Sequence, residues 1–335
     1  MGAEISEIPA VAERQIAEGL KHYVEEGRRL ATLNPRVFLT CARGTSDHAA
    51  TYFKYITETR LGIPVASVGP SVASVYQAPL RARDAVCICV SQSGASPDVV
   101  ALQALARQKG ARCIAVVNDP SSPVALESHA ILPVLAGPER AVAATKSFVG
   151  SLIALCGIHA GMVGDRDLEN AMRRLPEFLS NALGCDWSRA FGTIASASSL
   201  YVLGRGPGFA VALEAALKLK ETCRLHAEAY SAAEARHGPL ALAGRGVCVL
   251  AFVPGDQADD SVADAVSAFR MCGAAVLSAG SGDESAWLPT VRPPHDVLAP
   301  ICQITSFYRF VDALAADLGE NPSQPPHLQK VTRTI

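Results

Sequence analysis

The amino-acid sequence predicts an α/β fold made of two successive units, each a doubly wound parallel sheet flanked by helices. Apolar segments of strand length alternate with helical patterns, and this alternation starts again near residue 200. Of the 335 residues 49% are hydrophobic, mostly Ala, Val, Leu and Ile, and only 6% are aromatic. Because strands in parallel sheets are buried on both faces, this aliphatic composition suits them. The length is sufficient for two domains.

The N-terminal half is predicted to begin with an amphipathic helix over residues 9–32. Strands follow over residues 37–41, 64–68, 85–90, 113–117 and 130–134, and helices over 47–59, 97–109 and 145–163. Ser96 before Pro97 is a clear helix start, because Ser is favoured at the N-cap and Pro at the first helical position.

The C-terminal half repeats the pattern after a polar helical stretch over residues 167–183. Strands are predicted over 200–204, 247–253 and 274–277, with helices over 207–223, 260–272 and 298–318. The proline-rich end should lie extended over a surface. The expected organisation is an N-terminal helix (1–34), a first domain (35–165), a helical connection (166–196), a second domain (197–320) and a tail (321–335).

Charge and cysteine usage exclude several classes of function. The net charge is −2 with mixed signs, so neither a nucleic-acid groove nor an acidic tail is expected. The N-terminus lacks the apolar segment of a signal peptide, and no uncharged apolar stretch reaches the ~20 residues of a membrane span. The ten cysteines show no CxxC or zinc spacing, so no metal site is expected. We expect a cytoplasmic protein without a nucleic-acid or membrane partner.

Two hydroxyl-rich loops follow predicted strands. Ser91, Gln92, Ser93, Gly94 and Ser96 form one loop, and Gly44-Thr45-Ser46 forms the other. A strand end followed by a helix N-terminus offers free N–H groups to a phosphate monoester. The first loop alone could be a capped turn, but its combination with the second favours a binding site. Their glycine spacing fits neither a Walker loop nor a dinucleotide fingerprint, so no nucleotide cofactor is expected.

Three further features carry titratable groups. Glu214, Lys218 and Glu221 share one helical face, which is either a solvated ion-paired surface or, given its apolar flanks, a proton-transfer site. His237 before Gly-Pro is either a structural residue or a group that opens a sugar ring near neutral pH. Lys330 in the tail is either solvated or catalytic.

Together these segments resemble the isomerase half of glutamine–fructose-6-phosphate aminotransferase, a family of sugar-isomerase (SIS) domains. The most distinctive block comprises residues 212–221, 226–230 and 237–242. The resemblance continues in Arg43-Gly44-Thr45-Ser46, Ser91-Gln92-Ser93-Gly94, Val142-Ala143-Ala144-Thr145-Lys146 and residues 324–330. It extends from about residue 35 to the end and implies two tandem SIS domains.

The resemblance implies roles for individual residues. It implies that the two loops bind the sugar phosphate and hydroxyls through Thr45, Ser46, Ser91, Gln92, Ser93 and Ser96. By the same resemblance, Val142 and Ala144 are further substrate-binding positions. It implies that Glu221 moves a proton between C1 and C2, with Glu214 and Lys218 at further active-site positions. It implies that His237 assists ring opening from the neighbouring subunit of a homodimer. Lys330 would form a Schiff base with the open-chain ketose.

Two departures from the family direct the expected reaction. The aminotransferase carries an N-terminal glutaminase domain, whereas this chain reaches its first strand by residue 37. Ala144 also replaces the serine of the family's Val-Ala-Ser-Thr motif. The arrangement without the glutaminase domain resembles stand-alone SIS-type aminosugar-phosphate deaminases. This resemblance implies a glucosamine 6-phosphate deaminase that releases fructose 6-phosphate and ammonia. The alternatives are an aminotransferase-like isomerase, a fructosamine or galactosamine 6-phosphate deglycase or deaminase, and a non-enzymatic sugar-phosphate sensor.

Overall fold

The computed structural model describes residues 1–280 and 287–330 and contains two parallel sheets of five strands each. Both sheets are flanked by helices, which confirms the predicted fold class. The chain divides into two compact units. The N-terminal unit contains residues 10–139, 146–173 and 329–330, and the C-terminal unit contains residues 1–9, 140–145 and 174–328.

The N-terminal unit is built on a sheet with the strand order β2-β1-β3-β4-β5, in which all neighbours are parallel. Its strands are β1 (Phe38–Cys41), β2 (Val65–Ser67), β3 (Val86–Ser91), β4 (Arg112–Val117) and β5 (Ala130–Pro133). Strands β1 and β3 are buried along their whole length. The thiols of Cys41, Cys87, Cys89 and Cys113 lie in this core and pack as small apolar groups.

The helices of this unit connect successive strands, precede β1 or follow β5. They are Ile8–Arg14, Leu20–Leu33, Thr45–Leu61, Ser71–Ser74, Pro97–Gln108, Pro123–Leu126, Lys146–Val163 and Arg166–Arg173. A π-helical turn at Gln15–Gly19 interrupts the long helix predicted over residues 9–32. By length and composition, helix Lys146–Val163 is long and apolar enough to cross a membrane. However, 94% of its residues are buried inside the protein, as in a core helix.

The C-terminal unit is built on a second parallel sheet, with the order β10-β9-β8-β6-β7. Its strands are β6 (Ser199–Gly204), β7 (Ala227–Ser231), β8 (Val247–Phe252), β9 (Ala275–Ala279) and β10 (Trp287–Leu288). Its helices are Gly2–Ser6, Leu175–Leu183, Phe191–Ala195, Pro207–Cys223, Ala232–Ala235, Asp259–Met271 and Ala299–Asp317. Short 3-10 turns lie at Ser188–Ala190, Pro239–Leu242 and Asp296–Leu298.

The stretch predicted as one helical pattern over residues 167–183 forms two helices. The first ends at Arg173 and the second begins at Leu175. Pro176 lies in the first turn of the second helix and has no N–H to donate to the carbonyl of Met172. A continuous helix would lose that hydrogen bond, so the helix is interrupted at Arg174.

Candidate active site

The first hydroxyl-rich loop closes on itself at the end of β3. Ser91 Oγ accepts a hydrogen bond from the Gly94 N–H at 3.0 Å, and Ser93 Oγ accepts one from the Ala95 N–H at 3.4 Å. Gly94 has a φ of 60°, and a Cβ there would overlap the Ser122 side chain, so the turn requires glycine. Ser96 then occupies the N-cap position of helix Pro97–Gln108 with an extended backbone. The buried Ser91 and the half-buried Ser93 and Ser96 thus precede a helix N-terminus, which favours anions.

The second hydroxyl-rich loop lies at the neighbouring strand end. Strands β1 and β3 are parallel partners, with Cys41 opposite Cys89, so the segments that follow them leave the same edge of the sheet. Gly44 has a φ of 50° and precedes helix Thr45–Leu61. Thr45 and Ser46 are half-buried in its first turn. The structure therefore places both predicted loops at adjacent strand ends of one unit.

The segment that carries Val142 and Ala144 belongs to the C-terminal unit. The carboxylate of Glu4 accepts hydrogen bonds from the N–H groups of Arg140 and Ala141. The Val142 N–H donates to the carbonyl of Ser323 at 3.2 Å. These contacts fix the backbone of the segment, whose Val142 and Ala144 side chains are half-buried.

Three of the predicted catalytic residues form an ion-paired cluster on helix Pro207–Cys223. Lys218 Nζ lies 3.2 Å from Glu214 Oε1 and 2.6 Å from Glu221 Oε2. The Tyr308 hydroxyl donates to Glu214 Oε1 at 2.9 Å. Burial pushes the pKa of Lys218 down, but the charges of Glu214 and Glu221 outweigh it and leave this pKa above its ordinary value. Lys218 is therefore a charged ammonium held between two carboxylates.

Glu221 differs from its two partners because it is open to solvent. Its side chain is 22% exposed, whereas those of Glu214 and Lys218 are buried. It contributes to a cavity of about 380 Å³ in the C-terminal unit, lined by Lys220, Glu221, Arg224, Leu225, His226, Pro326, His327 and Leu328. A carboxylate at the edge of such a cavity can exchange a proton with a bound molecule.

His237 lies in the exposed loop between helix Ala232–Ala235 and the turn Pro239–Leu242. Its N–H donates to the carbonyl of Glu234 at 3.0 Å, which fixes the backbone and leaves the imidazole at the surface. This loop belongs to the C-terminal unit, as does the ion-paired cluster.

Lys330 is held in the N-terminal unit by a carboxylate that the sequence did not indicate. Lys330 Nζ lies 3.3 Å from Glu139 Oε2, and its side chain is 25% exposed. The buried Glu139 also accepts from Ser147 Oγ at 2.6 Å and from the Ser147 N–H at 3.1 Å. Glu139 thus caps helix Lys146–Val163 and anchors the tail lysine.

Glu139 and Tyr308 were both missed because neither lies in a recognisable pattern. Glu139 stands in a Pro-Glu-Arg loop, and Tyr308 is one of several aromatic residues in the apolar helix Ala299–Asp317. Within residues 1–280 and 287–330, no group of three or more His, Cys, Asp or Glu side chains is arranged to hold a metal ion.

Comparison with known proteins identifies the family of the chain. The SIS domain model matches residues 34–156 and 193–287. A glutamine–fructose-6-phosphate aminotransferase (isomerizing) from Methanothermobacter thermautotrophicus is 35% identical over 303 residues, which cover 88% of this chain and 50% of that protein. The chain thus spans about half the length of the curated relatives it matches.

Two solved structures share the architecture over almost all of the chain. A candidate phosphosugar isomerase from Silicibacter pomeroyi DSS-3 is 43% identical with a TM-score of 0.91, and the match covers 96% of this chain and 99% of that one. A glucosamine-6-phosphate deaminase from Thermotoga maritima is 22% identical with a TM-score of 0.74, over 97% and 99% of the two chains. The second similarity concerns the fold alone.

Proposed function

Because the chain belongs to the SIS domain family, we propose that it is an enzyme that isomerises and deaminates a phosphorylated amino sugar. The proposed net reaction is glucosamine 6-phosphate plus water giving fructose 6-phosphate and ammonia. The proposal is carried by the position of Glu221, whose carboxylate pairs with the buried Lys218 and also lines a cavity. An internal proton transfer requires one such group and no external oxidant.

The proposed sequence of steps balances without a cofactor. Ring opening, assisted by the partner subunit's His237, frees the C1 aldehyde. Glu221 removes the C2 proton to give an enolamine and returns it to C1, which produces an imine at C2. Water adds to the imine carbon, and ammonia leaves with the proton that its nitrogen requires. Lys330 could replace ammonia at C2 through a Schiff base that water then hydrolyses.

The hydroxyl loops of the N-terminal unit are proposed to bind the phosphate through Thr45, Ser46, Ser91, Ser93 and Ser96. Gln92, Val142 and Ala144 are proposed to contact the sugar. Neutral hydroxyl and N–H donors suit a phosphate monoester at a helix N-terminus. The proposal includes a homodimer in the cytoplasm.

The decisive experiment incubates the purified protein with glucosamine 6-phosphate and measures ammonia and fructose 6-phosphate together. Equal amounts of both products are expected. Galactosamine 6-phosphate and a fructosamine 6-phosphate in parallel reactions identify the alternative substrates. Glucosamine without phosphate should react poorly, because the helix N-terminus then has no anion to hold. Fructose 6-phosphate without ammonia would contradict the proposal, as would the absence of any product from all of these compounds.

A further inference from the structure

A buried carboxylate stands at the anion-binding end of the helix that follows the first loop. Asp98 is the second residue of helix Pro97–Gln108, and its side chain is 0% exposed. Its Oδ1 accepts from the Val99 N–H at 2.9 Å. Asp98 therefore occupies the positive potential of the helix N-terminus, which the proposed phosphate would also use. A phosphate dianion beside an uncompensated carboxylate would be repelled.

The charge of Asp98 is compensated from the second loop. A guanidinium nitrogen of Arg43 forms an ion pair with Asp98 Oδ2. The main chain of Arg43 belongs to the same loop, because its carbonyl accepts from the N–H groups of Ser46 and Asp47. One residue thus joins the loop after β1 to the first turn of the helix after β3.

Arg43 also has capacity beyond this ion pair. Its side chain is 46% exposed although its partner is buried. A guanidinium carries five N–H donors in a planar fork, so one edge can bind a carboxylate while another faces an anion. The hydroxyl groups of Thr45, Ser46 and Ser91 offer donors but no charge. Arg43 adds a positive charge to these two loops.

We propose that the Arg43–Asp98 pair sets the affinity of this site for a phosphate monoester. Asp98 positions Arg43, and Arg43 both cancels the charge of Asp98 and attracts the phosphate. The pair therefore determines specificity for phosphorylated over unphosphorylated sugars. The inference rests on the proposed function, because it requires that the hydroxyl loops hold the phosphate of the substrate.

Charge variants separate an electrostatic role from a structural one. Arg43→Met removes the guanidinium that pairs with Asp98 and faces the proposed phosphate, and binding of fructose 6-phosphate measured by calorimetry should weaken by about tenfold or more. Asp98→Asn keeps the shape of the side chain and leaves the full charge of Arg43 available to the phosphate, so binding of fructose 6-phosphate should become tighter. The double variant should bind better than Arg43→Met, and Arg43→Lys should retain most of the affinity. In turnover assays Arg43→Met should raise KM far more than it lowers kcat.

The outcomes distinguish this inference from the proposed reaction. Equal weakening in Arg43→Met and Asp98→Asn, with lowered melting temperatures, would show a purely structural ion pair and overturn the inference. Unchanged binding in Arg43→Met would overturn it as well. If wild-type protein binds no fructose 6-phosphate, both the inference and the proposed phosphate site fail. If the opposite effects of the two single variants appear but no ammonia is released, the inference stands and the deamination fails.

Discussion

Glu214 and Glu221 lie on opposite sides of Lys218, yet their surroundings suit different tasks. Glu214 is buried and accepts from both Lys218 and the Tyr308 hydroxyl. Glu221 shares the same ammonium but opens into the cavity. A residue that transfers a proton must contact its substrate. Of the two glutamates, Glu221 is partly exposed and Glu214 is buried. We infer that Glu214 fixes Lys218, and that Lys218 holds the Glu221 carboxylate in position through the 2.6 Å ion pair.

The variant Glu221→Gln tests this assignment. The amide preserves shape and removes the base, so kcat should fall by roughly the 10²–10⁴-fold typical of an acid–base group while substrate binding survives. Glu177→Gln, on the exposed ion pair with Arg174, is the matched control and should leave turnover unchanged. Turnover near the wild-type value in Glu221→Gln would remove the glutamate from the mechanism.

The tail lysine leads to a covalent prediction. Borohydride added with fructose 6-phosphate should reduce a Schiff base and add the mass of the sugar to the peptide containing Lys330. Lys330→Arg should abolish this adduct, because a guanidinium stays protonated and is not nucleophilic. Lys21→Arg replaces a highly exposed lysine and serves as the control. Lys330 should form the adduct in this variant as it does in the wild type. If wild-type protein gives no adduct and Lys330→Arg keeps full activity, Lys330 is at most a binding contact.

At the scale of elements, apolar runs were found from the sequence and marginal strands were not. Strand β3 is a continuous buried run and was predicted within one residue at each end. Strand β7 has the sequence Ala-Glu-Ala-Tyr-Ser and lies at the edge of its sheet. It is a strand because it pairs with β6, and its local sequence has no apolar pattern that predicts a strand. Strand β10 has only two residues and is likewise defined by its pairing, in this case with β9.

The contact between helices Leu20–Leu33 and Lys146–Val163 depends on glycine. A Cβ on Gly27 would overlap the Ile158 carbonyl oxygen and lie 2.9 Å from the Gly161 Cα. Gly27→Ala should therefore lower the free energy of unfolding by about 1–3 kcal/mol or more, even though alanine favours helices. Gly192→Ala, in a helix where a Cβ meets open space, should instead raise it by up to about 1 kcal/mol. Urea denaturation measures both, and equal effects would contradict the packing argument.

At the scale of the whole chain, the partners of the site residues were beyond prediction because they are distant in sequence. Lys330 and Glu139 are 191 residues apart, and Glu214 and Tyr308 are 94 apart. Periodicity identified the face that holds Glu214, Lys218 and Glu221, since that spacing is local. Only the folded backbone brings a loop carboxylate to a tail lysine. The predicted domain boundaries and catalytic roles stay predictions.

Buried thiols should make the protein sensitive to alkali. Burial raises the pKa of Cys156, Cys248 and Cys302 from 9.0 to about 12. Between these values the unfolded chain releases protons that the folded chain retains, so stability is complete below pH 9 and falls as pH rises. Each thiol contributes a slope of about 1.4 kcal/mol per pH unit, or about 4 kcal/mol per unit for the three.

Urea denaturation from about pH 8 to about pH 11, with reductant present, measures this loss. Cys302→Ala should reduce the pH dependence of the free energy of unfolding by the contribution of one thiol, about 1.4 kcal/mol per pH unit. Cys272→Ala should not, because that thiol is exposed. A free energy of unfolding that stays constant across this range would contradict the assignment of these thiols as buried and neutral.

The proposed homodimer with shared active sites gives the final prediction. His237 is exposed on the C-terminal unit, where a second copy of the chain could receive it. Glu221→Gln and His237→Gln should each be inactive alone. In a mixed dimer one site combines an intact Glu221 with the partner subunit's intact His237. Because random pairing makes half of the dimers mixed, with one working site of two, co-expression should restore about a quarter of wild-type activity.

The matched control co-expresses Glu221→Gln with the double variant Glu221→Gln/His237→Gln, which offers no intact Glu221 in any site. This pair should remain inactive at the same protein concentration. If the mixture of single variants is also inactive although mixed dimers are isolated by differential tags, both residues act within one subunit. The histidine must then reach its own Glu221, and the case for a shared active site falls.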